Sequence, residues 1–463
     1  MKLPDIDLES IKTLVEARNV IEKLLQMYVK QQEEIHLLRA EIARLKGQPK
    51  RPQFKSSGQQ PSASVTRLLQ EKTPWHKHSK GVLPIDRHQD LPVVDQCVCG
   101  SGDFKTLRTF QKVVQGIRFE RNNIGYRGKT KRCLHCGKIY KSSLPDGLRG
   151  VSFDPGLKSL ISYLKFGCRM TYPLILRLLN GMGVQISNGE INTVLLQNGE
   201  KLHPVTRELS TVGFGKSSHL QSDATGAKRK EKRTGRVRNQ YVQVISTRLL
   251  SVFAITPRYN AQTLNRLLTK AGRAKLLVSD DGSPNGNRLS LRRQLCWVHE
   301  IRHYQKLFPF FNPHRKLQHQ ILNQWQTFYH LAKQYGSDPP KSATLQTRLE
   351  IEKLFDRITT QTTEYADLNN QLKLTGKKKA RLLLFLDYPR LPIHNNQCEQ
   401  DLRQFVIIRK ISGETKSVRG DLSLARHLSV IQTARKQGLD VLATLHGLLT
   451  GQFPPGILTA NIS

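Results

Sequence analysis

Three acidic residues lie where they could act together on a phosphodiester. Asp223 lies within a strand-like segment, Asp280 comes shortly after the mostly apolar run 274–278, and Glu399 lies on a predicted helix. Three carboxylates from separated segments can hold two divalent ions about 3.5–4 Å apart, one activating the attacking hydroxyl or water and the other supporting the leaving oxygen. Hard oxygen ligands favour Mg²⁺ or Mn²⁺. The acids therefore predict phosphodiester chemistry that depends on one of these ions.

The elements around the first two acids predict a sheet that would bring them together. Residues 219–225, 239–247 and 249–256 are expected to form three strands in hairpin succession, followed by a helix over 261–268 and a fourth strand over 274–278. This β-β-β-α-β order is the opening order of an RNase H-like sheet. In such a sheet Asp223 lies on the first strand and Asp280 just after the fourth. On the later helix, Asn396, Glu399 and Arg403 share one face because they are spaced i, i+3 and i+7.

Four cysteines form two close pairs that predict a structural zinc site. Each pair lies beside a glycine, and four thiolates in two turns suit tetrahedral Zn²⁺; the residues are Cys97, Cys99, Cys133 and Cys136. The first pair is C-x-C, one residue tighter than the usual C-x-x-C, and His135 could replace one cysteine. Apolar residues between the pairs alternate loosely with polar ones and predict a small β-rich ribbon. We interpret residues 93–145 as a zinc ribbon that contacts DNA.

A second group of potential metal ligands has C-x2-H-x3-H spacing. Cys296, His299 and His303 could form part of another zinc site on a helix. Plain packing of the three side chains is the alternative that requires no ligand, and a role supporting the catalytic metals is a third.

The N-terminal region predicts a coiled coil. Nine of ten first and fourth heptad positions between Leu14 and Leu45 are apolar, and the tenth is Gln31, which could fix the register. The alternative is an amphipathic helix docked on the chain's own core.

The segment 46–64 is rich in Pro, Gly, Ser and Gln and predicts a linker. Residues 156–205 predict helices with a break at 180–183, which could form a DNA-reading helix-turn-helix or could simply pack.

Composition limits the class of protein. The chain has 463 residues, with 74 Lys and Arg against 36 Asp and Glu, for a net charge of +38. Such an excess favours a polyanion, and nucleic acid is the first candidate. The first residues lack the apolar core of a signal peptide and no apolar run approaches the length of a membrane span, so we expect a cytoplasmic, nucleoid-associated protein with no membrane partner. The cysteine pattern excludes disulfide stapling.

One short segment concentrates this positive charge. Residues 228–238 hold seven basic residues and one acid: Lys228, Arg229, Lys230, Lys232, Arg233, Arg236 and Arg238 are the basic ones. These side chains could bind DNA phosphates, and the alternative is a solvated hairpin loop.

Three motifs resemble those of the DDE transposases of bacterial insertion sequences, in particular the insertion-sequence-66 type. They are VSDDG at 278–282, LCWVHEIRHY at 295–304, and NNxxExxLR at 395–403 with Arg409-Lys410 downstream. Members of that type also carry a zipper and a zinc ribbon before the catalytic core. The resemblance covers nearly the whole chain, and the NNxxExxLR helix is its most specific part.

The resemblance implies catalytic roles for Asp223, Asp280 and Glu399, which would hold Mg²⁺ or Mn²⁺. It implies a supporting role near the metals for His299 or His303, with Asn396 and Arg403 on the face of the Glu399 helix. The family usually has Asp followed directly by Gly, as at Asp281-Gly282. We choose Asp280 because it lies nearer the end of the apolar strand. The polar pair that often follows the family's first acid is Ala224-Thr225 here.

The expected architecture is multidomain. It comprises a coiled-coil helix (1–47), a linker and basic loop (48–92), the zinc ribbon (93–145), a helical DNA-binding region (150–210), and an α/β RNase H-like catalytic core (215–303 and 391–450) with a helical insertion (304–390). The leading function is a transposase that cuts the ends of its mobile element and joins the freed 3′-hydroxyls to target DNA. It would act on double-stranded DNA as a homo-oligomer. The alternatives are a non-catalytic DNA-binding or bridging protein and an RNase H-like nuclease without strand transfer.

Overall fold

The computed structural model describes residues 13–45, 85, 87–91, 95–96, 98–112, 114, 121–144, 152–231, 234–282, 292–337 and 340–460. Contacts divide the chain into two units, residues 34–122 and the remainder. The predicted linker 46–64, Cys97, Lys232 and Arg233 lie outside the described residues. No helix in the described ranges has a stretch long and apolar enough to cross a membrane.

The first unit contains little regular structure between residues 98 and 112, which form turns and extended chain. The strands expected there from alternating apolar residues are not seen, and Phe104, Leu107 and Phe110 are exposed. Alternation alone does not make a strand, because a strand needs a partner for its hydrogen bonds and a face to bury.

Helix α1 (Leu14–Leu45) begins in the second unit and docks there through a polar face. Asn19 binds the chain at Glu364 and Ala366, Gln26 donates to Asp367, and Glu22 is buried. The heptad residues Leu14, Ile21, Leu24 and Tyr28 are exposed. The helix therefore docks on its own chain through its polar face, while the apolar residues Leu14, Ile21, Leu24 and Tyr28 stay exposed.

A hairpin surrounds the second cysteine pair. Strands β1 (Thr130–Arg132) and β2 (Ile139–Lys141) pair antiparallel, and the turn between them holds Cys133 and Cys136. The Cys133 N–H donates to the Lys138 carbonyl at 2.9 Å, and the Gly137 N–H donates to the Cys133 carbonyl at 2.9 Å. Gly137 has φ +72°, which favours glycine. The predicted Cys-Gly turn is confirmed at this pair.

The helical region that follows matches its predicted form. Its elements are α2 (Pro155–Ser162), a π-helical turn (Tyr163–Gly167), α3 (Tyr172–Gly181), α4 (Asn188–Lys201), α5 (His203–Glu208), a second π-helical turn (Leu209–Gly213) and α6 (Phe214–Lys216). The predicted break between α3 and α4 is present, with Gly183 at φ +79°. Helix α4 begins at a capping box in which Ser187 and Glu190 satisfy each other's backbone N–H groups.

A five-stranded mixed sheet forms the centre of the second unit. Its strands are β3 (His219–Lys230), β4 (Val237–Ser246), β5 (Ser251–Thr256), β6 (Leu276–Ser279) and β7 (Arg293–Leu295), in the spatial order β5-β4-β3-β6-β7. Strands β3, β4 and β5 are antiparallel, whereas β6 runs parallel to both β3 and β7. Helix α7 (Ala261–Arg273), interrupted at Thr269, joins β5 to β6. The predicted β-β-β-α-β order is confirmed.

Residues 304–390 are mainly helical, as predicted. Helix α8 (Trp297–Gln305) leads into this region, which contains α9 (Asn312–Tyr335), α10 (Leu345–Thr359), α11 (Ala366–Lys377) and α12 (Lys379–Leu382), with a 3₁₀ turn at Leu384–Leu386. They share a core in which Trp297, Trp325, Phe328 and Phe355 pack ring against ring. Val278 and Leu295 of the sheet belong to the same core, so the helices are anchored on the strands that flank Asp280.

The C-terminal helices cover the antiparallel side of the sheet. They are α13 (Asn396–Ser412), α14 (Val418–Lys436), α15 (Val441–Thr450) and α16 (Ile457–Ala460). A buried carboxylate joins them to the strands, because Asp401 on α13 accepts from Ser246 at 2.5 Å and Ser251 at 2.7 Å and pairs with Lys436 at 2.5 Å. This network fixes α13, and with it Glu399, against β4 and β5.

Candidate active site

The sheet register places the first two acids side by side. Strands β3 and β6 are parallel, and Ser222 lies opposite Ser279. The residue that follows each serine is an acid, Asp223 on β3 and Asp280 just after the end of β6. Neighbouring strands lie about 4.8 Å apart, so the two carboxylates lie side by side at the point where β6 ends next to β3.

The third acid is brought to this edge by contacts just before α13. The buried Asn395 donates from its side-chain amide to the Ser222 carbonyl at 3.0 Å and from its backbone to the Cys296 sulfur at 3.3 Å. Cys398 donates from its backbone to the Gln221 side chain at 3.4 Å. These bonds tie the start of α13 to β3 and to the start of α8, and Glu399 lies in the first turn of α13.

Burial and mutual repulsion raise the pKa of the first two acids. Burial is the main cause for Asp223, whose pKa rises to about 7; Asp280 and Glu399 raise it further, while the Ala224 N–H and Arg302 oppose the rise. The pKa of Asp280 is also raised, mainly by burial, with His299 opposing. Each shift shows that the site disfavours a further negative charge, which a bound cation would relieve.

Cations would also find oxygen atoms without hydrogen-bond partners. Asp280 Oδ1 and Glu399 Oε1 are buried and have no hydrogen-bond partner in the part of the chain that the structure describes. A buried acceptor left unpaired is costly, so such atoms indicate a missing donor or cation. The donor set is that of a hard divalent ion, and the residues therefore fit Mg²⁺ or Mn²⁺.

Asp281 lies among a set of cations. Its carboxylate contacts Lys378 Nζ at 2.8 Å, Arg293 Nη2 at 3.8 Å and Arg381 Nη1 at 3.9 Å. Burial opposes its charge, but these cations outweigh burial and lower the pKa of Asp281. Lys378 also contacts Glu300 at 3.0 Å. The carboxylate of Asp281 is therefore occupied by the helical region, whereas that of Asp280 faces Asp223 and Glu399.

Gly282 lies close to the side chain of Asp280. A Cβ at this glycine would lie 3.1 Å from Asp280 Oδ2. A larger residue would require the Asp280 carboxylate to shift by a few tenths of an ångström, so glycine leaves room for it in its present position.

The supporting residues predicted from the sequence divide into two groups. His299 lies in the site, with Nδ1 3.7 Å from Glu399 Oε1, and burial lowers its pKa. His303 is half-buried one turn further along α8. Asn396 and Arg403 are exposed on α13. Of the two neighbouring asparagines, Asn395 is the buried one, and it is Asn395 that contacts β3 by donating to the Ser222 carbonyl.

Sequence reasoning did not assign a role to Arg302 or Asn395. Arg302 Nη2 lies 3.8 Å from Glu399 Oε2, and its Nη1 lies 3.3 Å from His299 Nε2. Both residues lie inside the motifs used for the resemblance, but helical spacing alone could not show that α8 and α13 begin side by side.

The basic hairpin is partly strand. Lys228 and Lys230 on β3 and Arg236 and Arg238 near β4 are exposed. Arg229 instead forms a 2.6 Å ion pair with the buried Asp421, and Arg238 pairs with Glu231 at 2.5 Å. A groove of about 440 Å³ runs along this hairpin beside Tyr241 and Arg409. The Lys228 and Lys230 ammonium groups are thus exposed to solvent, whereas the Arg229 guanidinium is occupied.

Comparison with known proteins identifies the family of the chain. A protein of Sinorhizobium fredii (strain NBRC 101917 / NGR234), called "Uncharacterized protein y4jO", is 36% identical over 166 residues, which are 35% of this chain and 49% of that protein. The chain thus spans about half the length of that relative. The sequence model of the Transposase IS66 family matches residues 150–421, from the helical region through the sheet to α14. Since that match covers more than half of the chain, the protein belongs to the Transposase IS66 family.

Proposed function

We propose that this transposase is a DDE enzyme that cleaves the ends of its mobile element and transfers the freed 3′-hydroxyls to target DNA. The observation that carries the proposal is the convergence of Asp223, Asp280 and Glu399 from three separate segments, with the pKa of both aspartates raised. The proposed core is the RNase H-like arrangement of residues 215–303 and 391–450, and residues 304–390 are its insertion.

The three acids would hold two Mg²⁺ or Mn²⁺ ions. When bound, such ions activate the attacking hydroxyl or water and support the leaving oxygen. The chain contributes the positioning: the β3–β6 register fixes Asp223 beside Asp280, and Asn395 fixes the turn that carries Glu399. Arg302, exposed beside Glu399, supplies positive charge for a phosphate of the DNA backbone.

A DNA-binding or bridging protein is the alternative of a different class. The exposed lysines of the hairpin serve either function equally well. Against mere binding stands the placement of three acids at one sheet edge of a +38 chain, because acids there oppose the approach of phosphate. A nuclease without strand transfer would share the acids but would have no use for a helix that pairs two copies.

Two further parts of the proposal concern assembly and zinc. We propose that the exposed apolar stripe of α1 pairs with the same stripe of a second copy, because a stripe of this length is costly to leave in water. Residues 93–145 are proposed to bind one Zn²⁺ through Cys97, Cys99, Cys133 and Cys136 and to contact DNA. Metal analysis of purified protein should find the ribbon zinc lost in Cys133→Ser.

The test of the chemistry uses the DNA that flanks the protein's own gene. With Mg²⁺, wild-type protein should nick this DNA at fixed ends, while Asp223→Ala, Asp280→Ala and Glu399→Ala should each lose several orders of magnitude in rate, because both metal positions depend on them. DNA affinity should be equal or higher in each variant.

Asp281→Ala is the matched control and should still cleave. If Asp281→Ala is inactive and Asp280→Ala is active, the second acid is misassigned by one residue. Nicking by all four variants would contradict the proposed mechanism and favour the binding protein.

A further inference from the structure

Beside the proposed magnesium site lies a second set of ligands with different chemistry. The sulfur of Cys296, a ring nitrogen of His299 and a carboxylate oxygen of Glu399 all lie within 4.8 Å of one another. Among the described residues, this is the one group of three or more His, Cys, Asp or Glu side chains with such spacing. Cys296 and His299 belong to the C-x-x-H start of α8, and Glu399 comes from α13.

The fold holds these three groups in place, with the Cys296 sulfur accepting from the Asn395 N–H at 3.3 Å and His299 Nε2 lying 3.3 Å from Arg302 Nη1. The Cys296 N–H donates to the Ser279 carbonyl at 2.9 Å, and the Trp297 N–H donates to the Ile393 carbonyl at 2.9 Å. The starts of α8 and α13 are thereby joined by backbone bonds. The His299 Nδ1 and Glu399 Oε1 atoms are buried, face each other at 3.7 Å, and have no hydrogen-bond partner in the described ranges.

These distances suit a tetrahedral ion. With zinc–ligand bonds of about 2.0–2.3 Å, neighbouring ligand atoms of a tetrahedral site lie roughly 3.3–3.6 Å apart. The His299–Glu399 separation of 3.7 Å is already close to this spacing. All three ligand atoms lie within 4.8 Å of one another, so an ion would draw the set closer together.

The ligand types select a different ion from the one that the three acids select. Mg²⁺ takes oxygen ligands in an octahedron, whereas thiolate and imidazole favour Zn²⁺. We propose that Cys296, His299 and Glu399 form a Zn²⁺ site that competes with the catalytic magnesium site for Glu399. The thiol gives up its proton to solvent on binding, and the fourth position is left open to water.

The consequence is inhibition by zinc. Glu399 cannot serve both ions with the same geometry, and a divalent charge at Cys296 would also repel a second cation nearby. Zinc at this site would therefore switch off cleavage while DNA binding continues. Inhibition rests on the proposed function, but the existence of the site does not.

The first experiment measures binding without DNA. Full-length protein is titrated with Zn²⁺ against a chromophoric chelator, and with Cd²⁺ alone while the cadmium–thiolate absorption is followed. Wild type should bind one more equivalent than Cys296→Ser, and His299→Gln should show the same loss. The matched control is Cys398→Ser, because Cys398 is equally buried but donates to the Val244 carbonyl and lies outside the cluster.

Equal equivalents in wild type and in both cluster variants would overturn the site, as would an equal loss in Cys398→Ser. Circular dichroism checks that each variant folds, and if Cys296→Ser does not, His299→Gln decides the result. The ribbon cysteines are unchanged in every protein compared, so their zinc cancels.

The second experiment measures cleavage in Mg²⁺ at increasing Zn²⁺. Half-inhibition of Cys296→Ser should need about tenfold more zinc or higher, since even outer partners of metal ligands are worth about 10–100-fold in affinity. Equal inhibition of both proteins would contradict the competition. If the titration succeeds but no protein cleaves DNA, the zinc site stands and the proposed function fails. Cleavage by a wild type that binds no extra equivalent would instead support the proposed function and reject the zinc site.

Discussion

Asp281 and Asp280 are neighbours in sequence with opposite surroundings. Asp281 neutralises Lys378 and the buried Arg293, whose guanidinium nitrogens have no hydrogen-bond partner among the described residues. Asp281→Ala should leave these cations uncompensated and lower the free energy of unfolding by about 1–3 kcal/mol. Urea denaturation measures the change. Asp280→Ala should show no such loss, and equal destabilisation of both would contradict the division of roles.

The raised pKa of Asp223 makes the stability of metal-free protein depend on pH. Its folded value of about 7 exceeds the usual 3.8, so between these values the folded state binds more protons than the unfolded state. The free energy of unfolding should therefore fall as pH rises from about 4 to 7. Asp223→Asn should melt several degrees above wild type at pH 8 in chelator and equally near pH 4.

Addition of Mg²⁺ at pH 8 provides the control for this prediction. The ion should raise the melting temperature of wild type by occupying the acidic cluster, and should raise that of Asp223→Asn much less. Identical pH profiles for the two proteins in chelator would show that Asp223 is not the group responsible.

At the scale of elements, α1 presents two faces that separate docking from assembly. Glu22 accepts from the Phe310 N–H at 2.6 Å and from His314, which stacks on Tyr365 at 4.7 Å. Glu22→Ala leaves both donors unsatisfied. Hydrogen exchange over residues 14–33 should therefore become faster, with a loss of about 1–3 kcal/mol of local protection.

Substitutions on the other face should have the opposite effect. Ile21→Asp with Leu24→Asp should leave exchange over 14–33 nearly unchanged but lower the oligomer number measured by light scattering. Lys23→Ala, at an exposed position between the two faces, is the matched control and should change neither quantity. A stripe variant that keeps its oligomer number would contradict pairing through α1.

Local patterns predicted most of the elements but not their meeting points. The strand order around Asp223, the break at 180–183 and the capping box at Ser187 follow from residues close in sequence. The joining of α13 to β3 and to α8 depends on bonds from Asn395 to Ser222 and Cys296, which are 173 and 99 residues away. No periodicity encodes such contacts. The role of Asn395 in this joining was missed for the same reason, since both Asn395 and Asn396 fit a helix start, and the supporting role of Asn396 stays a prediction.

The basic hairpin shows a similar limit. Charge counting treated its seven basic residues alike, because composition says nothing of partners. In the structure Arg229 forms an ion pair with Asp421 Oδ2, and the other carboxylate oxygen of Asp421 accepts from the Thr415 hydroxyl. The pattern therefore predicted a cationic hairpin but could not separate phosphate ligands from a structural ion pair.

At the scale of the whole molecule, the net charge predicts DNA binding that weakens steeply with salt. Each phosphate contact contributes about −0.9 to the slope of log affinity against log salt. Lys228→Ala should reduce the magnitude of this slope by about 0.9, the contribution of one phosphate contact. Arg229→Ala should leave the slope unchanged and instead lower stability, because its guanidinium is held by Asp421. Fluorescence anisotropy at several salt concentrations distinguishes these outcomes.

The order of the three acids along the chain also has a consequence during translation. Asp280, the second of them, leaves the ribosome 119 residues before Glu399. At about 5–20 residues per second, this interval lasts roughly 6–24 s. By the proposed assignments, a nascent chain near its own gene carries the basic hairpin throughout that interval but lacks a complete cutting centre.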